Sequence, residues 1–378
     1  MYFQLIIILL ALVGLLIYRE TGSLQQQRRA RKGYVIFIMF FLVLQSGLRN
    51  LAVGSDTLAY YYMFDSVMNT SWENIWNDIS LQNGQDFGYT VLCKLFSVFC
   101  SSYRVFLIAV ALLFFVALGR LMYRYLNSNT EILVSVALYE CLYYGFFSIT
   151  GLRQTVATAI LLYALPFVLS DTQPFKNIVK FLSCLFIAST IHKSAFLFAP
   201  FCMLPYIRRN RIVFFLSFVL FVPMFSVGNA FAGFLVGTDF EQYAHYMQQS
   251  ETTGAVFFTW YIVLLSVLVF IKLKSINSYS KYNYVFTSAI AVSLLLSPLL
   301  ALDPSNQRIV QYYSIFGILV LPQVCRAYSG LTNSKILYYL VFATLVFYML
   351  SRVSPYAFFW QDMQFSDTGM ILNDKIIK

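Results

Sequence analysis

The stretch YFQLIIILLALVGLLIY, Tyr2 to Tyr18, with the basic run behind it that carries Arg19, Arg28, Arg29, Arg31 and Lys32, decides the fold. An apolar segment of this length meets the roughly 17 to 25 residues needed to cross a bilayer as an α-helix. It has no basic residues ahead of it and no small-residue cleavage site, so it is expected to be a retained helix rather than a signal peptide. The positive-inside rule places the basic run in the cytoplasm and the N-terminus outside.

The same pattern repeats along the chain. Apolar residues make up 60% of the 378 and charged residues only 11%, with mean hydropathy +0.70. A water-soluble domain carries about 25% charged residues. Backbone inside a bilayer must satisfy its own hydrogen bonds, so apolar runs between short polar loops read as helices. The ten-residue alternation of a membrane barrel is absent. The expected spans are 2–18, 34–48, 104–122, 131–148, 152–170, 177–192, 195–207, 212–228, 254–273, 283–301, 308–326 and 335–353. This is an all-α polytopic membrane protein with about twelve transmembrane helices, expected to form a single domain over 1–378. The stretch Gly88 to Cys100 is short for a span and holds Lys94, so it reads as an interfacial or re-entrant helix.

Alternation from the first loop puts every later basic loop on the cytoplasmic side: Arg120 and Arg124; Lys176 and Lys180; Arg208, Arg209 and Arg211; Lys272, Lys274 and Lys281; Arg326 and Lys335. The formal net charge of +10 is therefore mostly topology signal, and nucleic acid is not a partner. Twelve of the sixteen acids fall on the other face: Asp56, Asp65, Glu73, Asp78, Asp86, Asp239, Glu241, Glu251, Asp303, Asp362, Asp367 and Asp374. External loops at about 49–103 and 228–254, with a tail at about 353–378, give that face its chemistry. In the first loop Trp72, Ile75, Trp76 and Ile79 share helical spacing, which predicts an amphipathic helix at the interface.

The six cysteines lie in or beside apolar helices without paired spacing, as buried small apolar residues do. Nucleotide-binding fingerprints and metal-ligand spacings are absent from the sequence, so no cofactor and no metal are expected. Among the basic residues on the wrong side of the positive-inside pattern, Arg49, Arg153, Lys193 and Arg308 each sit where a span meets the external face. Arg153 and Arg308 fall at helix N-termini, where the macrodipole opposes a cation unless an anion is near. Helix N–H groups and guanidinium forks together suit a diphosphate. Snorkelling to headgroups or pairing with external acids is the alternative for each.

These residues carry a resemblance. Gly47-Leu48-Arg49, then Gly54-Ser55-Asp56-Thr57 with Tyr60, then Gly151-Leu152-Arg153-Gln154 with Ala157, then His192-Lys193-Ser194-Ala195, and finally Arg308-Ile309 with Tyr312 and Tyr313 resemble the EpsG-like branch of Wzy-type polysaccharide polymerases. One departure is Asp86-Phe87-Gly88-Tyr89, where that family more often shows Glu-Pro-Gly-Phe: the acid is kept and the proline lost.

The resemblance implies an enzyme of the bacterial cytoplasmic membrane, its site facing the periplasm or exterior. Such an enzyme joins undecaprenyl-diphosphate-linked repeat units into O-antigen, capsule or exopolysaccharide, by glycosyl transfer with lipid diphosphate leaving. Donor and acceptor lipid-linked glycans and the bilayer are the implied partners, with a chain-length regulator and a flippase beside them. Three tasks follow: hold the diphosphate, deprotonate the attacking hydroxyl, and bind two glycans. Arg49, Arg153, Arg308 and Lys193 suit the first. His192, whose neighbour Lys193 favours the neutral ring, and Asp56 are the candidate bases. Tyr60, Tyr312, Tyr313 and Gln154 are candidate glycan contacts, the rings offering stacking faces. His245, in the second external loop, is a glycan contact or a surface residue. Glu140, the one acid inside an expected span, is either functional or the buried partner of a tyrosine or lysine.

Two other classes fit parts of the pattern. A metal-dependent integral-membrane lipid-phosphosugar glycosyltransferase would use Asp56 with Asp65. A flippase or exporter of lipid-linked glycans would line a path with the arginines.

Overall fold

The computed structural model describes residues 3–54, 56–77, 86–170, 173–207, 210–235, 253–301, 306–329, 335–352 and 355–363. His245 and most of the second external loop lie outside the described residues, as do Ile79, Ser55, Asp303 and the tail beyond 363.

The described chain is helical, and its only β-type pairing is an isolated antiparallel bridge between Arg49 and Phe358. The helices are α1 (Phe3–Ile17), α2 (Leu24–Gly47), α3 (Thr57–Asn69), α4 (Trp72–Asn77), α5 (Phe87–Phe99) and α6 (Tyr103–Tyr125). Next come α7 (Asn129–Leu138), running on as a π-helix over Tyr139–Thr150, then α8 (Leu152–Val168) and α9 (Pro174–Ile191). A 3₁₀ helix over Lys193–Tyr206 leads to α10 (Asn210–Leu235), α11 (Thr253–Ile271), α12 (Leu273–Ser278) and α13 (Asn283–Leu296). The 3₁₀ turn Ser297–Ala301 precedes α14 (Gln307–Ser314), α15 (Gly317–Ser329) and α16 (Ile336–Leu350).

Five helical stretches are long and apolar enough to cross a membrane: Leu24–Gly47, Tyr103–Tyr125, Asn129–Thr150, Pro174–Ile191 and Asn283–Leu300. A sixth forms if α14 and α15, bent by 51° at their junction, are taken as one span. The expectation of about twelve full-length spans is therefore met only in part among the described residues. Most of the other apolar segments are shorter helices, such as Phe3–Ile17 and Leu152–Val168. At about 1.5 Å per residue they fall short of the ~30 Å hydrocarbon core. The expected span 195–207 departs furthest: Pro200 and Pro205 each lack the N–H of an α-helical bond, and the segment winds as 3₁₀. At about 2.0 Å rise its 14 residues still reach roughly 28 Å.

The chain divides into two compact units, the first formed by 1–167, 179–196 and 339–378, the second by 168–178 and 197–338. In the first unit α2 begins with a capping box, Ser23 with Gln26, so the basic residues expected in a loop lie on its first turns. Arg31 Nη1 donates to the Asn127 carbonyl at 2.7 Å, and Glu20 accepts the Asn129 backbone N–H at 3.0 Å. Both loops are on the expected cytoplasmic side. At the opposite end of α2, helices α3, α4 and α5 pack on the start of α6 through Phe64, Ile75, Tyr89 and Phe106. These short helices sit between spans, so burying Phe64 or Ile75 removes it from water and contributes roughly 1.5–3 kcal/mol each. The expected apolar face of α4 divides: Ile75 is buried against the protein while Trp72 and Trp76 are exposed.

Glu140, at the start of the π-helix, is fully buried, and its partner is an amide: Gln45 Nε2 donates to Oε2 at 3.2 Å. In the second unit an aromatic stack of Phe198, Phe201, Phe286 and Phe316 forms the centre. Asn210 donates to Thr287 Oγ1 at 2.9 Å and Asn283 to the Ile276 carbonyl at 2.7 Å, which ties together the loops expected on the cytoplasmic side. All six cysteines are free.

Candidate functional site

Three of the sequence motifs meet in the first unit, and an acid from the interfacial segment joins them. The π-helix ends with Gly151 N–H donating to the Phe146 carbonyl at 2.7 Å, five residues back. Thr155 Oγ1 ties that turn to α8 through the Phe147 and Gly151 carbonyls. The turn delivers Arg153 in the first turn of α8.

Arg153 Nη1 lies 3.4 Å from Asp86 Oδ2, and Nε donates to the Tyr60 hydroxyl at 3.4 Å. Its guanidinium carbon stands 5.9 Å from the centre of the Tyr60 ring, within cation–π range. Asp86, the residue before α5, also faces His192, with Oδ2 3.3 Å from Nδ1. Its other oxygen accepts the Lys193 backbone N–H at 3.4 Å. Lys193 thus meets this acid through its main chain, and its side chain is exposed. The Asp86 side chain is 6% exposed and that of His192 11%, whereas 22% of Arg153 remains reachable.

Gly88 explains how the acid and the imidazole come within reach. A Cβ there would stand 2.7 Å from the backbone carbon of Thr190, so the start of α5 can lie on the end of α9 only with glycine. Asp86 is two residues before Gly88 and His192 two residues after Thr190. This is the Gly of the motif that has lost its proline, and Asp86 takes the N-cap position of α5 without a side-chain cap bond.

Arg49 is placed differently from Arg153. It is 2% exposed, and its guanidinium bonds to the protein: Nε to Thr57 Oγ1 at 3.2 Å, Nη2 to the Ile149 carbonyl at 3.4 Å, and Nη1 to the Ser46 carbonyl. It acts as a clamp between the loop before α3 and the end of the π-helix. Gly54, at φ +93°, completes the approach, because a Cβ there would collide with the Ile149 side chain. From the far side Asn50 N–H bonds the Ala357 carbonyl at 2.9 Å and Phe359 N–H the Leu48 carbonyl at 3.0 Å.

The remaining candidates are spread out. Asp56, half-buried at the N-cap of α3, makes no capping bond with its side chain. Gln154 is buried in the first turn of α8. Arg308, in the first turn of α14 in the second unit, is half-buried. Tyr312 and Tyr313 are buried rings packed near Phe198, and the Tyr313 hydroxyl donates to the Leu197 carbonyl at 2.9 Å. Their faces are turned to the protein. Asp86 was not among the candidate catalytic residues; the signal that could have raised it was its place as the acid of the Asp-Phe-Gly-Tyr motif.

The described residues form an apolar, helical, multi-pass membrane protein in which an acid, an imidazole and a guanidinium meet. Residues 32–364 match the EpsG family, and the chain belongs to that family of polysaccharide-biosynthesis membrane proteins. No curated protein and no solved structure matches it.

Proposed function

We propose that this protein is a polysaccharide polymerase that joins repeat units carried on undecaprenyl diphosphate at the external face of the cytoplasmic membrane. The observation that carries the reading is the cluster of Arg153, Asp86 and His192, which places a guanidinium and a carboxylate-held imidazole within one small site. In the reaction a hydroxyl of the acceptor glycan attacks C1 of the sugar bound to the lipid diphosphate. The C1–O glycosidic bond forms as the C1–O bond to phosphate breaks, and the lipid diphosphate leaves with the electron pair.

Arg153 binds the diphosphate and stabilises the charge that grows on it, with the exposed Lys193 as a further contact. His192 takes the hydroxyl proton, with Asp86 facing its Nδ1. Asp86 here has the orienting role of the acid in an Asp–His pair. Asp56 is the other candidate base, and Tyr60 and Gln154 are the glycan contacts nearest Arg153. Arg49 serves the site as its clamp. Twelve crossings, the shorter helices included, are the proposed topology. The pairing of loops expected on one side, Arg31 with Asn127 and Glu20 with Asn129, supports that alternation.

The test is deletion of the gene and electrophoresis of the surface glycan. Loss of long chains with single repeats remaining is the expected result. Unaltered chain length, or loss of all repeats, would point to transport or to an earlier transferase instead.

A further inference from the structure

Asp86 offers a single oxygen to two donors. Oδ2 lies 3.4 Å from Arg153 Nη1 and 3.3 Å from His192 Nδ1, while Oδ1 is taken up by the Lys193 backbone N–H. A charge-assisted N–H···O bond closes to about 2.7–2.9 Å when nothing opposes it. Neither donor reaches that distance. The backbone holds Asp86 from both sides, through the Gly88–Thr190 approach and through Lys193, so the carboxylate cannot move onto one partner without leaving the other. Of the two donors, Arg153 is the more exposed, 22% against 11%.

From this sharing we infer that Asp86 couples donor binding to the strength of the base: a diphosphate that engages Arg153 releases the Asp86 charge to His192, whose proton affinity rises as the donor seats. The inference rests on the polymerase reading for the nature of the ligand and the role of His192. Its physical content is that an arginine beside a carboxylate cancels most of the field the carboxylate exerts on a neighbour. Diphosphate competes for the guanidinium because its oxygens match the planar fork two at a time. With the arginine drawn to the ligand, the Asp86–His192 pair behaves as an isolated acid–imidazole pair, in which the charged ring is favoured. The other ionisable groups gathered here are Lys193, exposed beside the ring, Tyr60 on α3, and the buried Tyr89 on α5 near Arg153. The base is then weak while the donor site is empty and strong when a proton has to be taken, which makes the reaction ordered, donor first.

The chain holds two histidines, so His245→Asn leaves His192 as the only imidazole. In that background the full-length protein, ¹⁵N-labelled at histidine and held in lipid nanodiscs, is titrated by NMR with and without inorganic pyrophosphate, and ³¹P signals report binding. The expected result is a rise in His192 proton affinity of about tenfold on binding. Arg153→Gln should show the raised affinity without ligand, and Asp86→Asn should show low affinity and no response. Bound pyrophosphate with an unchanged His192, or a full response in Asp86→Asn, would overturn the coupling. If pyrophosphate does not bind, the diphosphate assignment fails, and the ligand-free Arg153→Gln titration alone decides the coupling: no rise relative to the parent overturns it.

Discussion

The Arg49 guanidinium donates from Nη2 to the carbonyl of Ile149 at 3.4 Å, across 100 residues of sequence. The same carbonyl lies 3.4 Å from the Thr57 hydroxyl, which donates to the nearer Val53 carbonyl at 2.7 Å and accepts from Arg49 Nε at 3.2 Å. Thr57 opens α3, which carries Tyr60 against Arg153, and Ile149 sits four residues before Arg153. One buried cation thus fixes both supports of the exposed one.

Arg49→Lys keeps the charge but cannot span three acceptors set around a planar fork. Each hydrogen bond to a charged group contributes about 1.5–3 kcal/mol, so the variant should lose roughly 3 kcal/mol of stability. Thermal unfolding in detergent, followed by tryptophan fluorescence, would read this as a clear fall in Tm. A variant as stable as the parent but with a raised donor KM would return Arg49 to the diphosphate.

Gly88→Ala tests the approach that brings Asp86 to His192. The added methyl must displace the start of α5 from Thr190, at a cost of about 1–3 kcal/mol for overpacking. Chain extension should fall steeply while the protein still inserts and is recovered in detergent. Wild-type polymer from a stable Gly88→Ala protein would show that the two side chains need not meet.

The membrane class and the helical character of the chain were legible because lipid imposes one rule on every segment, length and apolarity. Span lengths were less so: 195–207 reads as apolar, but Pro200 and Pro205 wind it as 3₁₀, and α14 with α15 breaks between Ser314 and Gly317. In the site, Arg153 and His192 stood out because a cation at a helix N-terminus and a rare imidazole are conspicuous by type. Asp86 is one acid among many on the same expected face; beyond its place in the Asp-Phe-Gly-Tyr motif, it is the packing of Gly88 on Thr190 that brings it to His192. Arg49 and Arg153 occur in the same Gly-Leu-Arg triplet, and the carbonyls around each, which no local pattern specifies, separate a buried clamp from a reachable contact.

Arg153→Lys and Arg308→Lys each retain a positive charge without the fork. If both hold diphosphate oxygens, each substitution should raise the donor KM about tenfold, the equivalent of one charge-assisted bond. Polymer length on gels, with donor saturation in a reconstituted assay, measures it. Full-length polymer in both variants would remove bidentate contacts from the mechanism.

Orientation has its own test. A reporter fused after Lys32 should read cytoplasmic and one after Asp86 external, as the basic loops require. Reversal at both positions would move the whole cluster to the cytoplasmic face and away from a lipid-linked substrate in the outer leaflet.

The last prediction separates three acids and bases. His192→Ala should lower chain extension by about 10² to 10⁴, the usual cost of losing a general base, while donor binding through Arg153 persists. Asp86→Asn leaves the ring in place but removes the charge that orients it, so its loss should fall on kcat and shift the pH profile. Asp56→Asn, at the N-cap of α3 and outside the bonded cluster, should change extension far less than either. If instead Asp56→Asn abolishes extension and His192→Ala does not, the base is the aspartate, and chelator sensitivity would then decide for the metal-dependent glycosyltransferase class. Wild-type extension by both variants would leave substrate-assisted displacement, in which the arginines drive departure of the diphosphate and no side chain takes the proton in the rate-limiting step.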